Sequence, residues 1–284
     1  KTNIMKNIVI ISILFIAFSS LKINAQAQTI RKPVNYTVIL DLSDRILSEH
    51  QLEKDQAQIE QLFEKFEAKA RRGLILTSKD RFSVKIVPQK NSPLDINYFE
   101  NMLQLKLNEM SIKDKNNKMV EFSNSITKTL SELRDKANYS DKRNGYFGVD
   151  LWAYLNDYGQ SLQLEGYDNT VIILTDGYFD FENRGHVLKQ KNRYTSTQFL
   201  NKITGIDWKQ KARSSDYGLF PIKLPKGIHW IISGICSKND LDVLQTQKLI
   251  YFWDKWLKES GADDYKFILD GSESQMSSKL LSML

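Results

Sequence analysis

The sequence predicts an α/β fold: a doubly wound, mainly parallel central sheet with helices on both faces and a hairpin insertion after one inner strand. Three observations carry that expectation. Short apolar runs alternate with longer segments of helical periodicity along the chain, the pattern of strands joined by crossover helices. The runs at 171–174 and 230–232 are almost continuously apolar, as strands covered on both faces are. Two of the runs end in polar residues, which an open sheet of this kind presents at its rim.

The 284 residues suffice for one large domain or two modest ones. At the start, Met5 and Lys6 precede an apolar run at 8–18 broken only by Ser12, and small and polar residues follow up to Gln28. This predicts a secretory signal peptide at 1–27, with cleavage after Ala25 or after Ala27. The run falls short of the roughly 20 apolar residues of a spanning helix, so no stable membrane span is expected after cleavage. Residues 28–284 then read as a single domain.

Residues 35–41 read as a buried strand. Leu52, Ile59, Leu62, Phe63, Phe66 and Ala70 share one face of a helix that Gly73 closes. In 82–87, Phe82, Val84 and Ile86 alternate with Ser83 and Lys85, a half-exposed strand stopped by Pro88. A short helix is expected at 98–107, a long amphipathic one from Met119 to Ala137 and another short one at 149–158. Strands follow at 170–174, 228–235 and 265–269. A helix at 241–259, ended by Gly261, joins the last two, and a helix at 274–284 closes the chain. The connection at 178–226 breaks the alternation. Its aromatic start and turn-like 182–185 predict a hairpin projecting from the rim, then an irregular loop, and connections of this length are usually functional or mobile.

The net charge is +6, and removal of Lys1, Lys6 and Lys22 with the signal leaves +3. The remaining lysines are interleaved with acids, as on solvated helix faces. No basic stripe with stacking aromatics is present, which argues against nucleic-acid binding. Cys236 is the one cysteine, so no intrachain disulfide can form. Export without disulfides fits the periplasm or surface of a Gram-negative-type bacterium, and Cys236 reads as a small buried hydrophobe. His50, His186 and His229 are far apart and match no metalloprotease spacing. Neither a nucleophile elbow nor a phosphate-cradling glycine loop is found.

The most informative stretch is YTVILDLSDR at 36–45, a strand that runs into Asp41, Ser43, Asp44 and Arg45. VIILTDG at 171–177 ends similarly in Asp176 and Gly177. Two carboxylates and a hydroxyl at strand ends suit a hard cation, which takes oxygen ligands.

In this order the motifs resemble a von Willebrand factor type A domain over residues 34–284. VILDLSDR at 38–45 resembles that family's first strand and D-x-S-x-S loop. KDRFSV at 79–84 is similar to its D-R entry into the second strand, and GVDLWA at 148–153 to the start of its third helix. IILTDG at 172–177 is similar to its fourth strand with the T-D-G ending. The resemblance implies that the first and fourth strands are neighbours at the switch point of the sheet. It also implies that their loops hold Mg²⁺ or Mn²⁺, with Asp41, Ser43 and Asp176 at the matching ligand positions.

Two positions depart from the pattern. The third loop position is Arg45, where the family has a hydroxyl, and its threonine is missing from the stretch before Gly148. Two arrangements therefore stand side by side. A cation binds with Asp44 as a replacement carboxylate, or Arg45 pairs with Asp41 or Asp176 and fills the metal's place without any cofactor. The implied function is an exported, non-catalytic module whose rim contacts a partner protein through Asp44, Arg45, Gly177, Tyr178 and Phe179. The aromatics at 178–181 serve equally well to pack the hairpin. The competing readings are a metal-dependent phosphoester hydrolase using Asp41 and a structural subunit of an envelope assembly. Against the hydrolase, Ser43 stands where a second acid would be needed.

Overall fold

Along the chain the elements are β1 (Val34–Leu40), α1 (Gln51–Arg72), β2 (Arg81–Ile86), α2 (Ile96–Met102), β3 (Gln104–Lys106) and α3 (Lys115–Ala137). Then come α4 (Leu151–Tyr158), β4 (Asp168–Leu174), β5 (Lys189–Gln190), β6 (Arg193–Tyr194), α5 (Trp208–Ser214) and β7 (Gly218–Leu219). The chain closes with β8 (Ile228–Ile235), α6 (Val243–Ser260), β9 (Asp264–Leu269) and α7 (Glu273–Ser282). This computed structural model describes residues 31–284 other than 90–91, 138–148, 181–186 and 239–242. The expected signal peptide, the turn at 182–185, and Gly148 with the stretch before it lie outside the described residues. Residues Lys32–Leu284 form one compact unit.

The central sheet has six strands in the order β3-β2-β1-β4-β8-β9. All neighbours are parallel except β3, which runs antiparallel along the outer edge of β2. The chain builds outward from β1 through β2 to β3, returns, and builds the other way from β4. The order therefore reverses between β1 and β4, which makes that boundary the switch point. The architecture is mixed α/β, as the alternating pattern predicts.

Burial along the strands explains their composition. β1 is buried at every position and β4 at all but the first, which requires cover on both faces. On one face Phe63 and Phe66 of α1, Phe82 of β2 and Phe122 of α3 meet ring to ring, with centroids 4.8–6.0 Å apart. On β2 only Phe82, Val84 and Ile86 are buried, while Arg81, Ser83 and Lys85 are half-exposed, as the alternation predicts. The Asp80 of the D-R entry is structural. Its carboxylate accepts from the Val34 N–H (2.7 Å) and the Ser78 hydroxyl (2.7 Å), tying the starts of β1 and β2 together at the end of the sheet away from the rim.

Two segments differ from expectation. The helix expected at 98–107 is shorter and begins earlier, at Ile96, because the Asp95 carboxylate caps it by accepting from the Tyr98 N–H (3.0 Å). It gives way to β3, where Leu105 turns into the core and the backbone covers the edge of β2. The connection at 178–226 does hold a hairpin, at β5 and β6, but a third strand follows it where an irregular loop is expected. β5 and β6 form a tight hairpin, β7 joins β6 in parallel, and the resulting three-stranded sheet lies against α6. At the chain's end, Ser272 caps α7 in a reciprocal box with Gln275, while Asp270 pairs with Lys54 (2.9 Å). Among the described residues no helix is long and apolar enough to cross a membrane.

Candidate functional site

β1 and β4 end side by side, with Leu40 opposite Leu174. The Asp41 N–H extends the ladder by donating to the Leu174 carbonyl (3.1 Å). Asp41 and Asp176 are thus brought to one rim at the switch point, as the motif order implies. Both are interior, at 1% and 5% exposure. Asp41 Oδ1 accepts from the Ser43 N–H (2.8 Å) and Oδ2 from the Thr175 hydroxyl (2.7 Å). Thr175 Oγ1 accepts in turn from the Gly177 N–H (3.1 Å), and Asp176 Oδ1 accepts from the Tyr178 N–H (3.0 Å). The two loops are fastened to each other through these side chains. The Ser43 hydroxyl is buried without a hydrogen-bonding partner.

After Ser43 a single 3₁₀ turn at Asp44–Leu47 points the Arg45 side chain inward. Its guanidinium grips Asp55 of α1 as a fork, Nη1 to Oδ2 at 2.7 Å and Nη2 to Oδ1 at 2.8 Å. It also donates to the Asp41 carbonyl (3.0 Å), and Gln51 Nε2 donates to Asp55 Oδ1 (3.1 Å). The expectation that Arg45 pairs with the Asp41 or Asp176 carboxylate is therefore corrected. Both Asp41 oxygens are already engaged, and α1 carries a carboxylate on its core-facing side within reach. Gly234 makes room at φ 102°, since a Cβ there would stand 3.0 Å from the Thr175 carbonyl and 3.6 Å from Arg45 Nη2.

Charge and burial set the protonation of the cluster. Burial works against the Arg45 charge, but Asp55 first, then Asp41 and Asp176, hold its pKa above the ordinary value. Burial raises the Asp41 carboxyl although Arg45, Thr175 and Ser43 pull it down. Asp176 is pushed up to about 7 by burial and by Asp41, against the Tyr178 N–H, Arg45 and Lys238. Half-buried Cys236 is pushed up to about 12 by burial, then by Asp176 and Asp270, so its thiol stays protonated and unreactive.

Of the residues expected to face a partner, Arg45, Gly177 and Phe179 are interior. Phe179 packs on Trp253 and Trp256, at centroid distances of 4.5 and 5.2 Å. The Gly177 carbonyl accepts from Trp253 Nε1 (2.8 Å). The reason is the insertion, whose first residues fold down onto α6. Asp44 and Tyr178 do reach the surface. Asp44 is part-exposed and pairs with Lys238 (2.7 Å), whose ammonium lies 5.0 Å above the Tyr178 ring. Leu47 is exposed nearby on the same turn.

Sequence reasoning passed over Asp55, Thr175, Gly234 and Lys238. One signal was available: Asp55 falls between Leu52 and Ile59 on the buried stripe of α1, where a lone acid demands a partner. Among the described residues no group of three or more His, Cys, Asp or Glu could hold a metal ion.

No protein-family model matches the chain, and no curated protein matches it. Among solved structures it is similar to the pilus adhesin SpaC from Lactobacillus rhamnosus GG. In the open conformation the TM-score is 0.44 at 11% identity, covering 89% of this chain and 29% of the adhesin. A second crystal form of the same adhesin gives 0.46 at 11%, covering 90% and 30%. The proximal thread matrix protein 1 of the mussel byssus gives 0.35 at 13%, covering 88% and 47%. The chain thus spans less than a third of the adhesin's length, and no site assignment rests on these overlaps.

Proposed function

We propose that residues 28–284 are an exported, non-catalytic protein-interaction module of the von Willebrand factor type A kind. Export would follow removal of 1–27, to the periplasm or cell surface of a Gram-negative-type bacterium. The partner protein docks on the exposed rim formed by Asp44, Tyr178 and Lys238, and Arg45 stands in for the divalent cation. The observation that carries this reading is the buried Arg45–Asp55 fork beside Asp41 and Asp176. It fixes a positive charge at the switch point, where the resemblance would put Mg²⁺ or Mn²⁺. A resident cation fits this donor set poorly. Both Asp41 oxygens already accept hydrogen bonds, and a dication would face the guanidinium charge at short range in a poorly screened interior. The same engagement speaks against Asp41 as the nucleophile of a phosphoester hydrolase.

Calorimetric titration of the mature protein with Mg²⁺ and Mn²⁺ tests the metal part. No saturable heat is expected for the parent, while Arg45→Ser, which removes the guanidinium and restores the hydroxyl that the resemblance puts at that position, should gain binding. Saturable binding by the parent would overturn the stand-in role of Arg45. For the docking part, Asp44→Ala and Tyr178→Ala should each weaken capture of envelope proteins while melting temperature and circular dichroism stay unchanged. Capture unaffected by both variants would remove the rim from the proposal.

A further inference from the structure

The sheet carries a second concave feature, away from the rim. On the face opposite the phenylalanine cluster, the outer strands β2 and β3, with the margin of buried β1, border an opening between α2 on one side and α4 with its following 3₁₀ turn (Gly159–Leu162) on the other. The opening is a groove of about 450 Å³, within the size range of small-ligand sites. No residue of the Asp41–Asp176 rim lines it.

The floor of this groove has an unusual composition for a sheet face beside a core. Asn35 and Thr37 of β1, Ser83 of β2 and Gln104 of β3 project into it. Face packing against a helix would call for apolar residues at these positions. The Thr37 and Ser83 hydroxyls, at 3.4 Å, make only a long mutual contact; Thr37 is buried, and half-exposed Ser83 keeps donor and acceptor capacity for a ligand. Each cation of the lining has an acid partner, although three cations share two carboxylates. Lys85 pairs with Glu100 (2.6 Å), and Arg81 and Lys106 share Glu109 (3.0 and 3.8 Å). An anion would have to displace a carboxylate from each cation it approached. One wall is aromatic: Tyr154 and Tyr158 stand with ring centroids 5.1 Å apart, and Tyr158 is 54% exposed.

We propose that this groove binds a neutral saccharide. A sugar ring combines one face of C–H groups with a rim of hydroxyls that both donate and accept. An exposed tyrosine offers an apolar ring face with a polar tip, and the hydroxyl and amide floor offers matching donors and acceptors without net charge. The Tyr154–Tyr158 wall takes the C–H face, and Ser83 and Gln104 take the hydroxyl edge.

The test uses the mature protein on an array of neutral glucans, galactans and N-acetylhexosamine oligomers beside matched uronate oligomers. Retention of at least one neutral oligosaccharide is expected, with affinity cut about tenfold by Tyr158→Ala and by Ser83→Val, and kept by Tyr158→Phe. Unchanged melting temperatures would show that these variants fold. Binding confined to uronates, binding indifferent to Tyr158→Ala and Ser83→Val, or no retention of any neutral oligosaccharide would each overturn the assignment. Since the rim variants Asp44→Ala and Tyr178→Ala should not alter this binding, failure here leaves the rim reading standing, and the reverse also holds.

Discussion

Arg45 and Asp55 are each almost wholly removed from water, with side-chain exposures of 3% and 2%. Two charges taken inside are tolerable only because the fork is bidentate and Gln51 and the Asp41 carbonyl satisfy further hydrogen-bonding capacity. Removing one partner should therefore cost far more than removing both. Asp55→Asn is expected to lower unfolding free energy by about 3–5 kcal/mol, whereas Arg45→Met with Asp55→Leu should come close to parental stability. Urea denaturation of the three proteins measures the difference, and a double variant as unstable as the single one would contradict it. Asp176 supplies a pH test. Its folded pKa of about 7 lies above the ordinary carboxylate value, so the folded state binds more protons than the unfolded state between about pH 4 and 7. Stability from this group is present at the acid end and falls as pH rises through 7. Asp176→Asn should flatten that fall by on the order of 2 kcal/mol between pH 5 and pH 8, as read from denaturation midpoints. An unchanged slope would show that the carboxyl is not displaced.

Among the elements, the insertion shows where periodicity stops informing. β5, β6 and β7 have two residues each, too few for alternation to register. What holds them is aromatic packing onto α6. Phe199 is fully buried, stacked on Tyr194 (5.3 Å) and edge-on to Phe252 of α6 (4.8 Å). Arg193 adds ion pairs to Asp216 and Glu259. Truncating Phe199 to Ala should cost about 3–5 kcal/mol, and amide exchange should show the loss spreading from β6 into α6. Protection unchanged in α6 would show that the insertion is energetically separate. The long helices, by contrast, were legible. The stripes of α1 and α3 ran over four turns or more, and their apolar positions all turned inward. β3 escaped for the same reason as the insertion: three residues pair with β2 only once the neighbouring strand is in place.

For the molecule as a whole, the sequence by itself determined the alternation of strands and helices, the buried character of β1, β4 and β8, and the presence of Asp41 and Asp176 at two strand ends. These are local properties, carried by hydrophobic period and by the polar residues that interrupt it. Only the tertiary structure decided which carboxylate Arg45 takes, that Phe179 and Gly177 face inward, and that a polar groove opens over β2 and β3. Each of these depends on distances between segments far apart in the chain. α1 delivers Asp55 to the rim, Gly234 of β8 allows the close approach of the Thr175 carbonyl, and α6 draws down the start of the insertion. A linear pattern records what a residue is and how often it recurs, whereas pairing and burial depend on which neighbours chain packing brings to it.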